Sequence, residues 1–141
     1  MAFLIDTNLV SELRKRHNAN PSVLAWQKHV RAIDQWISVI SLMEIRIGVL
    51  KAETSDAAFA QKLDLWYHRR LLPAYRGRIL PVDLKVAEMR STLSPHRTLP
   101  HSDALIAATA KHHRLTIATR NTKDFEGLGI DLINPWEFGS V

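Results

Sequence analysis

Four of the fourteen acidic residues stand apart from the others because their neighbours in the sequence are apolar or strand-forming. They are Asp6, Glu44, Asp103 and Asp124. A carboxylate in such surroundings is costly to bury unless it is paired, hydrogen-bonded or bound to a cation. These four side chains are therefore the candidates for chemistry in this sequence.

Oxygen ligands of this kind suit hard divalent cations, which here means Mg²⁺ or Mn²⁺. A metal held by carboxylates polarises a phosphoryl oxygen and lowers the pKa of a bound water, which is the chemistry of phosphodiester hydrolysis. The polar residues beside the acids are candidates for orienting a carboxylate or a metal-bound water. They are Thr7, Asn8, Thr119 and Asn121, and ordinary turn or cap hydrogen bonding is their alternative role.

The elements that must position these residues follow from the hydrophobic pattern. Short β-branched or apolar runs predict strands at residues 2–5, 36–40, 79–82, 115–119 and 131–133. Longer periodic stretches predict helices at residues 7–16, 21–33, 41–52, 56–75, 83–93 and 101–113, with Asp83 as an N-cap. Strands that alternate with helices predict an α/β protein, with a central parallel sheet covered by helices on both faces.

This topology predicts that the four acids meet at one edge of the sheet. In a parallel α/β sheet, the N-termini of the covering helices lie at the same edge as the C-termini of the strands, where ligands bind. Asp6 and Asp124 follow predicted strands, whereas Glu44 and Asp103 lie in the first turns of predicted helices. Four converging carboxylates repel one another unless a cation lies among them, which favours a metal site.

Each acid taken alone also has a structural interpretation. The spelling Ser41-Leu42-Met43-Glu44 is that of a capping box, in which Glu44 satisfies a helix N-terminus. Asp103 or its neighbour Ser102 is a candidate helix cap, and Asp6 is a candidate cap for the helix that begins at Thr7. Asp124 is a candidate cap for a turn before Phe125.

Composition limits the class of protein. The chain has 141 residues, which is the length of one domain, and its 46% hydrophobic content is that of a globular protein. Without any Cys, disulfide scaffolds and thiolate chemistry are excluded. Asp6 comes before the apolar core of a signal peptide could form, and no apolar run reaches membrane-spanning length. We therefore expect a cytoplasmic protein without a membrane segment.

The net charge of +5 favours a polyanionic partner, and nucleic acid above all, although charge alone is a weak indicator. The five glycines lack the spacing of a phosphate-binding loop, and the seven histidines form no zinc signature. The basic run at residues 67–70 is a candidate phosphate contact, with a solvated face as its alternative. The four tryptophans are interpreted as core or interface residues.

Four segments, in this order and spacing, resemble the PIN-domain family, and more closely the VapC/FitB-type toxins of bacterial toxin–antitoxin pairs. The segments are 4–8 (LIDTN), 38–48 (SVISLMEIRIG), 103–110 (DALIAATA) and 119–125 (TRNTKDF), and the ending 132–137 (LINPWE) fits the FitB-like branch. The resemblance covers essentially the whole chain, so it implies a single PIN-like nuclease domain over residues 1–141 with an α/β/α sandwich fold.

The resemblance further implies Mg²⁺-dependent endoribonuclease activity, a homodimer, and inhibition by a small antitoxin protein that occupies the active-site groove. It implies DNA binding only indirectly, through the antitoxin. Carried over by position, the catalytic and metal-binding quartet is Asp6, Glu44, Asp103 and Asp124, and Thr7, Asn8 and Asn121 are supporting residues. The RNA target is not implied.

Two other functions compete with the nuclease. In one, the protein is a non-catalytic nucleic-acid-binding module whose acids are helix caps. In the other, the protein is an antitoxin-binding subunit whose acidic pocket receives an arginine from its partner. Four converging acids argue against the first alternative, because a phosphate-binding surface gains nothing from them.

Overall fold

The computed structural model describes residues 1–93 and 98–139. Its centre is a sheet of five parallel strands in the order β3-β2-β1-β4-β5. The strands are β1 (Phe3–Ile5), β2 (Gln35–Ser38), β3 (Ile79–Leu80), β4 (Thr116–Ala118) and β5 (Leu132–Ile133). Helices cover both faces, which confirms the predicted α/β/α sandwich.

The helices are α1 (Thr7–Leu13), α2 (Pro21–His29), α3 (Val39–Ser55), α4 (Ala57–Trp66), α5 (Leu72–Ala74), α6 (Leu84–Ser91) and α7 (His101–His113). The bounds of α7 match the prediction, and Asp83 caps α6 as expected, accepting a hydrogen bond from the Val86 amide at 3.0 Å. No helix in the described part of the chain has the length and apolarity that crossing a membrane requires.

The predicted helix at residues 56–75 is interrupted. After α4 the chain forms a π-helical turn, Tyr67–Leu71, in which the Leu72 amide donates to the Tyr67 carbonyl five residues earlier. Pro73 explains the interruption, because proline has no amide proton and its ring clashes with the carbonyl four residues before it. The wider turn accommodates that ring, and only the short α5 follows.

The first two helices end earlier than predicted. α1 ends at Leu13 rather than at residue 16, and the chain then passes through Arg16 in a left-handed conformation with φ of 54°. α2 ends at His29 rather than at residue 33, because Val30 is extended. The side chains after Leu13 are polar, so another turn of α1 would have no apolar face to pack against the core and stabilise it.

The sheet divides the core into two layers, as side-chain alternation along a strand requires. Leu4 of β1 packs with the apolar side chains of α6 and α7 on one face. Its neighbours Phe3 and Ile5 pack with α1, α2 and α3 on the other face, where Phe3 meets the buried Trp26 edge to face. Both faces of β1 are therefore buried, which makes it the central strand.

The strand order reverses direction at β1. The chain runs outwards from β1 through β2 to β3, then returns through α6 and α7 to place β4 on the other side of β1. Such a reversal opens a crevice at the C-terminal ends of the two strands, where open α/β sheets bind ligands. The sequence pattern did not predict this order.

Candidate active site

Asp6 lies at the bottom of that crevice, directly after β1. Its side chain is buried, with 5% of its surface exposed, and its amide donates to the Ala118 carbonyl of β4 at 3.0 Å. One carboxylate oxygen accepts from the Thr7 amide at 2.8 Å, so Asp6 is also the N-cap of α1. The other accepts from the Thr119 hydroxyl at 2.7 Å and from the Asn8 amide group at 3.4 Å. These donors hold the carboxylate in one orientation.

Glu44 reaches the same crevice from α3. The Thr7 Oγ1 lies 2.7 Å from Glu44 Oε1 and 3.0 Å from the buried Ser41 Oγ. A carboxylate only accepts and a hydroxyl has one proton, so Thr7 donates to Glu44 and receives the proton of Ser41. Thr7 therefore links the first turn of α1 to the second turn of α3.

Asp103 lies in the first turn of α7 and is half-buried. Desolvation raises the pKa of its carboxyl to about 6, and the negative charges of Asp6, Asp124 and Glu44 contribute further. Three other acids act on one carboxyl only if all four are close in space. The four residues, called the carboxylate edge below, are therefore brought together as predicted.

Asp124 completes the carboxylate edge from the 3-10 turn Thr122–Phe125 that follows β4. It is exposed, and it lines a polar pocket of about 300 Å³ together with Asn121, Arg120 and Asn134. Burial raises the pKa of Asp6 above its ordinary value, and Asp124 adds to this effect, whereas the Thr119 and Thr7 hydrogen bonds oppose it. The negative charge of Asp124 therefore acts on the carboxyl of Asp6 across the crevice.

The three supporting residues lie around Asp6 and Thr119. Asn8 donates to Thr119 Oγ1 at 3.2 Å and accepts from the Arg120 amide at 3.3 Å. The Asn121 amide donates to the same threonine oxygen at 3.1 Å. Thr119 is fully buried and is the centre of this network, so it belongs with the supporting residues. Its sequence signal was its position at the end of a predicted strand, opposite Asp6.

Two capping predictions were wrong. The N-cap of α3 is Ser38, whose hydroxyl accepts from the Ile40 amide at 3.0 Å, so Glu44 lies in the second turn and Ser41-x-x-Glu44 is no capping box. The α7 N-cap position is Pro100, and no side chain caps that terminus, so neither Ser102 nor Asp103 has this role. The structure thereby removes the capping alternatives for Glu44 and Asp103, whereas Asp6 is both a cap and a member of the carboxylate edge.

The carboxylate edge suits a divalent cation in its donor chemistry and its electrostatics. Carboxylate oxygens are hard ligands. Burial and then the negative charges of Asp6, Asp124 and Glu44 raise the pKa of Asp103, and an added cation would offset the effect of those charges. Within residues 1–93 and 98–139, no three His, Asp or Glu side chains lie close enough to enclose an ion as they stand. Mg²⁺ usually keeps several waters and takes only one or two carboxylates directly, so its binding does not require a complete protein cage.

Comparison with known proteins agrees with this geometry. The sequence matches the PIN domain family over residues 3–129. It is 35% identical to the VapC ribonuclease Y4jK of Sinorhizobium fredii, in an alignment that covers 95% of this chain and 97% of that protein. It is 37% identical to the toxin FitB of Neisseria gonorrhoeae, in an alignment that covers 94% of this chain and 97% of that protein.

Solved structures give the same result. The crystal structure of FitAcB from Neisseria gonorrhoeae contains a chain with a TM-score of 0.86 and 34% identity, over 96% of this chain and 99% of that one. A toxin-antitoxin complex from Klebsiella pneumoniae contains a chain with a TM-score of 0.68 and 29% identity, over 96% of this chain and 98% of that one. Fold, sequence and site geometry agree: the chain belongs to the PIN-domain family and is a relative of its VapC and FitB toxins.

Proposed function

We propose that this protein is a metal-dependent endoribonuclease and the toxin of a toxin–antitoxin pair. The observation that carries the proposal is the placement of four carboxylates at the switch point of the sheet, with the charges of the other three acting on Asp103 in addition to its burial. The similar VapC protein is named a ribonuclease and the similar FitB protein a toxin, which supports the same function here.

The residues of the chain have separable roles in this proposal. Asp6 is held by Thr7, Asn8 and Thr119, so it presents a carboxylate of fixed orientation. Glu44 is oriented by Thr7, whereas Asp103 and Asp124 approach from α7 and from the turn after β4. Together they would hold Mg²⁺ or Mn²⁺, which when bound supplies Lewis-acid polarisation of a phosphoryl oxygen and a water of lowered pKa.

The test is cleavage of single-stranded RNA by the purified protein. We expect cleavage with Mg²⁺ or Mn²⁺, little with Ca²⁺, whose geometry is larger and looser, and none with excess chelator. The variant that tests the site is Asp103→Asn. Its matched control is Asp131→Asn, because Asp131 is an exposed acid at the opposite end of the sheet, where β5 begins. Equal cleavage with and without chelator would refute the metal mechanism, and RNA binding without any cleavage would favour the non-catalytic module.

The partner in this proposal is an antitoxin that inserts an arginine among the four carboxylates. A guanidinium pairs bidentately with carboxylates and would offset the negative charges that, after burial, raise the pKa of Asp103. The chain in the Klebsiella structure belongs to a toxin-antitoxin complex, which supports such a partner. DNA binding would be indirect, through the antitoxin. A structure of the complex without a cationic side chain in the crevice would contradict this arrangement.

A homodimer also belongs to the proposal. Met43, Ile47 and Leu50 form an apolar stripe along α3, with 44%, 43% and 53% of their surfaces exposed. Residues three and four apart lie on the same face of a helix, so these side chains form one surface. A second copy of the chain that packs against it would bury this stripe.

A further inference from the structure

Five cationic side chains from two distant segments of the chain line one concave surface. They surround a pocket of about 520 Å³ whose wall also contains Leu65 and Trp66. The five, called the basic pocket below, are Arg14, Arg16, Lys62, Arg69 and Arg70. The sequence indicated only the run at residues 67–70, and the fold adds the cations that follow α1.

The basic pocket has no acidic counterpart among the residues that line it. Within the described ranges 1–93 and 98–139, the ion pairs involve other cations: Lys15, Arg31, Arg46 and His68. Asp64 of the neighbouring α4 surface is engaged by Arg46 and His68. Five like charges around one concavity repel one another, and a bound polyanion relieves that repulsion.

Two features of the backbone shape this pocket. Arg69 and Arg70 belong to the π-helical turn, a distortion that is frequent at functional sites. Arg16 has a φ of 54°, a left-handed conformation that is unfavourable for a residue with a side chain. Its side chain is exposed and lines the pocket.

The basic pocket is connected to the carboxylate edge through α1. α1 begins at Thr7, beside Glu44, and Arg14 follows seven residues later, which is about 10 Å along a helix. Arg46 follows Glu44 by two residues and therefore lies on the opposite face of α3. From there it pairs with Asp64 of α4 and has its guanidinium 5.2 Å from the ring of Tyr67, where the π-helical turn begins.

Without a bound cation the four carboxylates repel phosphates, so affinity for RNA under metal-free conditions has to come from another surface. We propose that the basic pocket binds the sugar–phosphate backbone of the single-stranded RNA substrate and holds the strand across the carboxylate edge. This inference rests on the proposed function. Arginines combined with an aromatic wall are typical of surfaces that bind single strands, and Trp66 supplies that wall. A narrower pocket of about 210 Å³, which shares Arg14, Trp66 and Arg70, extends the surface.

The test measures binding separately from cleavage. In an Asp103→Asn background with chelator, the affinity for two labelled single-stranded RNAs of unrelated sequence is measured by fluorescence anisotropy between 50 and 300 mM KCl. The probe variant is Arg69→Ala/Arg70→Ala. The matched control is Lys51→Ala/Lys85→Ala, which removes the same charge from exposed helical positions outside the pocket.

We expect the probe variant to weaken binding of both RNAs by the same factor. The slope of log K against log salt should fall by about 1.4, which is about 0.7 for each lost phosphate contact on a single strand. The control variant should change neither quantity. Arg16→Gly should weaken binding while its melting temperature is maintained or raised, because glycine adopts a positive φ without strain. That variant separates a loss of binding from a loss of folding.

Three outcomes overturn the inference. One is unchanged RNA affinity in the probe variant, and another is equal weakening by probe and control, which would indicate diffuse attraction to the net charge. The third comes from a parallel titration with labelled poly-L-glutamate: if the probe variant loses binding of this polymer but retains binding of RNA, the pocket is assigned to an acidic protein. If parent protein cleaves RNA but the pocket variants bind normally, the pocket inference fails alone. If the pocket binds RNA and no cleavage is found, the nuclease proposal fails alone.

Discussion

At the scale of single residues, the same type of side chain, an aspartate, has different properties in two environments. Asp6 is buried, caps α1 and accepts hydrogen bonds from Thr7, Asn8 and Thr119, and these fixed donors offset part of the effect of burial on its pKa. Asp103 lies in a helix terminus that no side chain caps, and its pKa rises to about 6. The first carboxylate is held in one orientation, whereas burial and three negative charges act on the second.

Asp103→Asn is expected to abolish RNA cleavage and to raise stability in a pH-dependent manner without metal. The folded-state pKa of about 6 lies above the ordinary 3.8, so the wild type loses stability as pH rises between these values. At about pH 3 and below, which is under both pKa values, the carboxyl is mostly protonated in both states and contributes little. The melting temperatures should therefore approach each other near pH 3, whereas the variant should melt higher near pH 7.5.

The measurement is a pair of thermal melts at the two pH values beside a fixed-time RNA cleavage assay. Asp131→Asn is the control, since an exposed acid at the other end of the sheet should change neither quantity. Full activity in a folded Asp103→Asn protein would remove this residue from the site. A stability gain that is the same at both pH values would show that charge repulsion is not its cause.

Thr119→Val tests the buried network around Asp6. The substitution keeps the shape but removes the donor 2.7 Å from Asp6 and the acceptor used by Asn8 and the Asn121 amide. We expect a loss of about 1.5–3 kcal/mol in the free energy of unfolding at neutral pH, as for a hydrogen bond to a charged group, together with reduced cleavage. Thr119→Ser keeps the hydroxyl and should lose only about 1 kcal/mol for the methyl group. Equal losses for Val and Ser in urea unfolding would contradict the role of the hydroxyl.

At the scale of elements, α3 and α7 present Glu44 and Asp103 near their N-termini, but residues other than these acids occupy the N-cap positions of both helices. α3 begins one residue after Ser38, the last residue of β2, so its first turn is continuous with the strand. Glu44 and Ser41 consequently face Thr7 in α1, rather than the terminus of their own helix. The residues Ser41-x-x-Glu44 therefore match the capping-box pattern without forming a capping box.

Two alanine variants separate the cap of α3 from the positioning of Glu44. Ser38→Ala removes the hydrogen bond to the Ile40 amide and should cost about 1 kcal/mol in unfolding free energy, with cleavage little changed. Ser41→Ala removes the proton that Thr7 receives and should lower kcat/KM by about tenfold, as for residues that orient a metal ligand. If Ser38→Ala lowers kcat/KM more than Ser41→Ala does, the roles assigned to the two serines, capping α3 and positioning Glu44, are wrong.

At the scale of the whole molecule, the apolar stripe on α3 predicts self-association. Ile47→Glu/Leu50→Glu places two charges on the stripe and should convert a dimer to a folded monomer, because burying unpaired carboxylates in an interface is costly. Light scattering at micromolar concentration measures the change. Leu84→Glu is the control, since Leu84 is 73% exposed on α6 and lies outside the stripe. A wild-type monomer, or a dimer that survives both charges, would reject this interface.

Local information was sufficient for several features of this protein. The strands and the bounds of α7 follow from hydrophobic periodicity, and Asp83 was identified as a cap from its position before an apolar stretch. The four carboxylates were singled out by their apolar neighbours, and parallel topology alone predicted that they meet at one edge. Each of these inferences uses contacts within a few residues, or a rule that holds for every parallel α/β sheet.

The tertiary structure decided what depends on contacts between distant segments. Only the strand order places β4 beside β1 and so brings Thr119 to Asp6, across 113 positions of the sequence. The pairing of Ser41 with Thr7, the π-helical turn before Pro73 and the meeting of Arg14 and Arg16 with Arg69 and Arg70 arise in the same way. Periodicity reports which face of an element is buried, whereas the packing of one element against another determines which polar side chains meet.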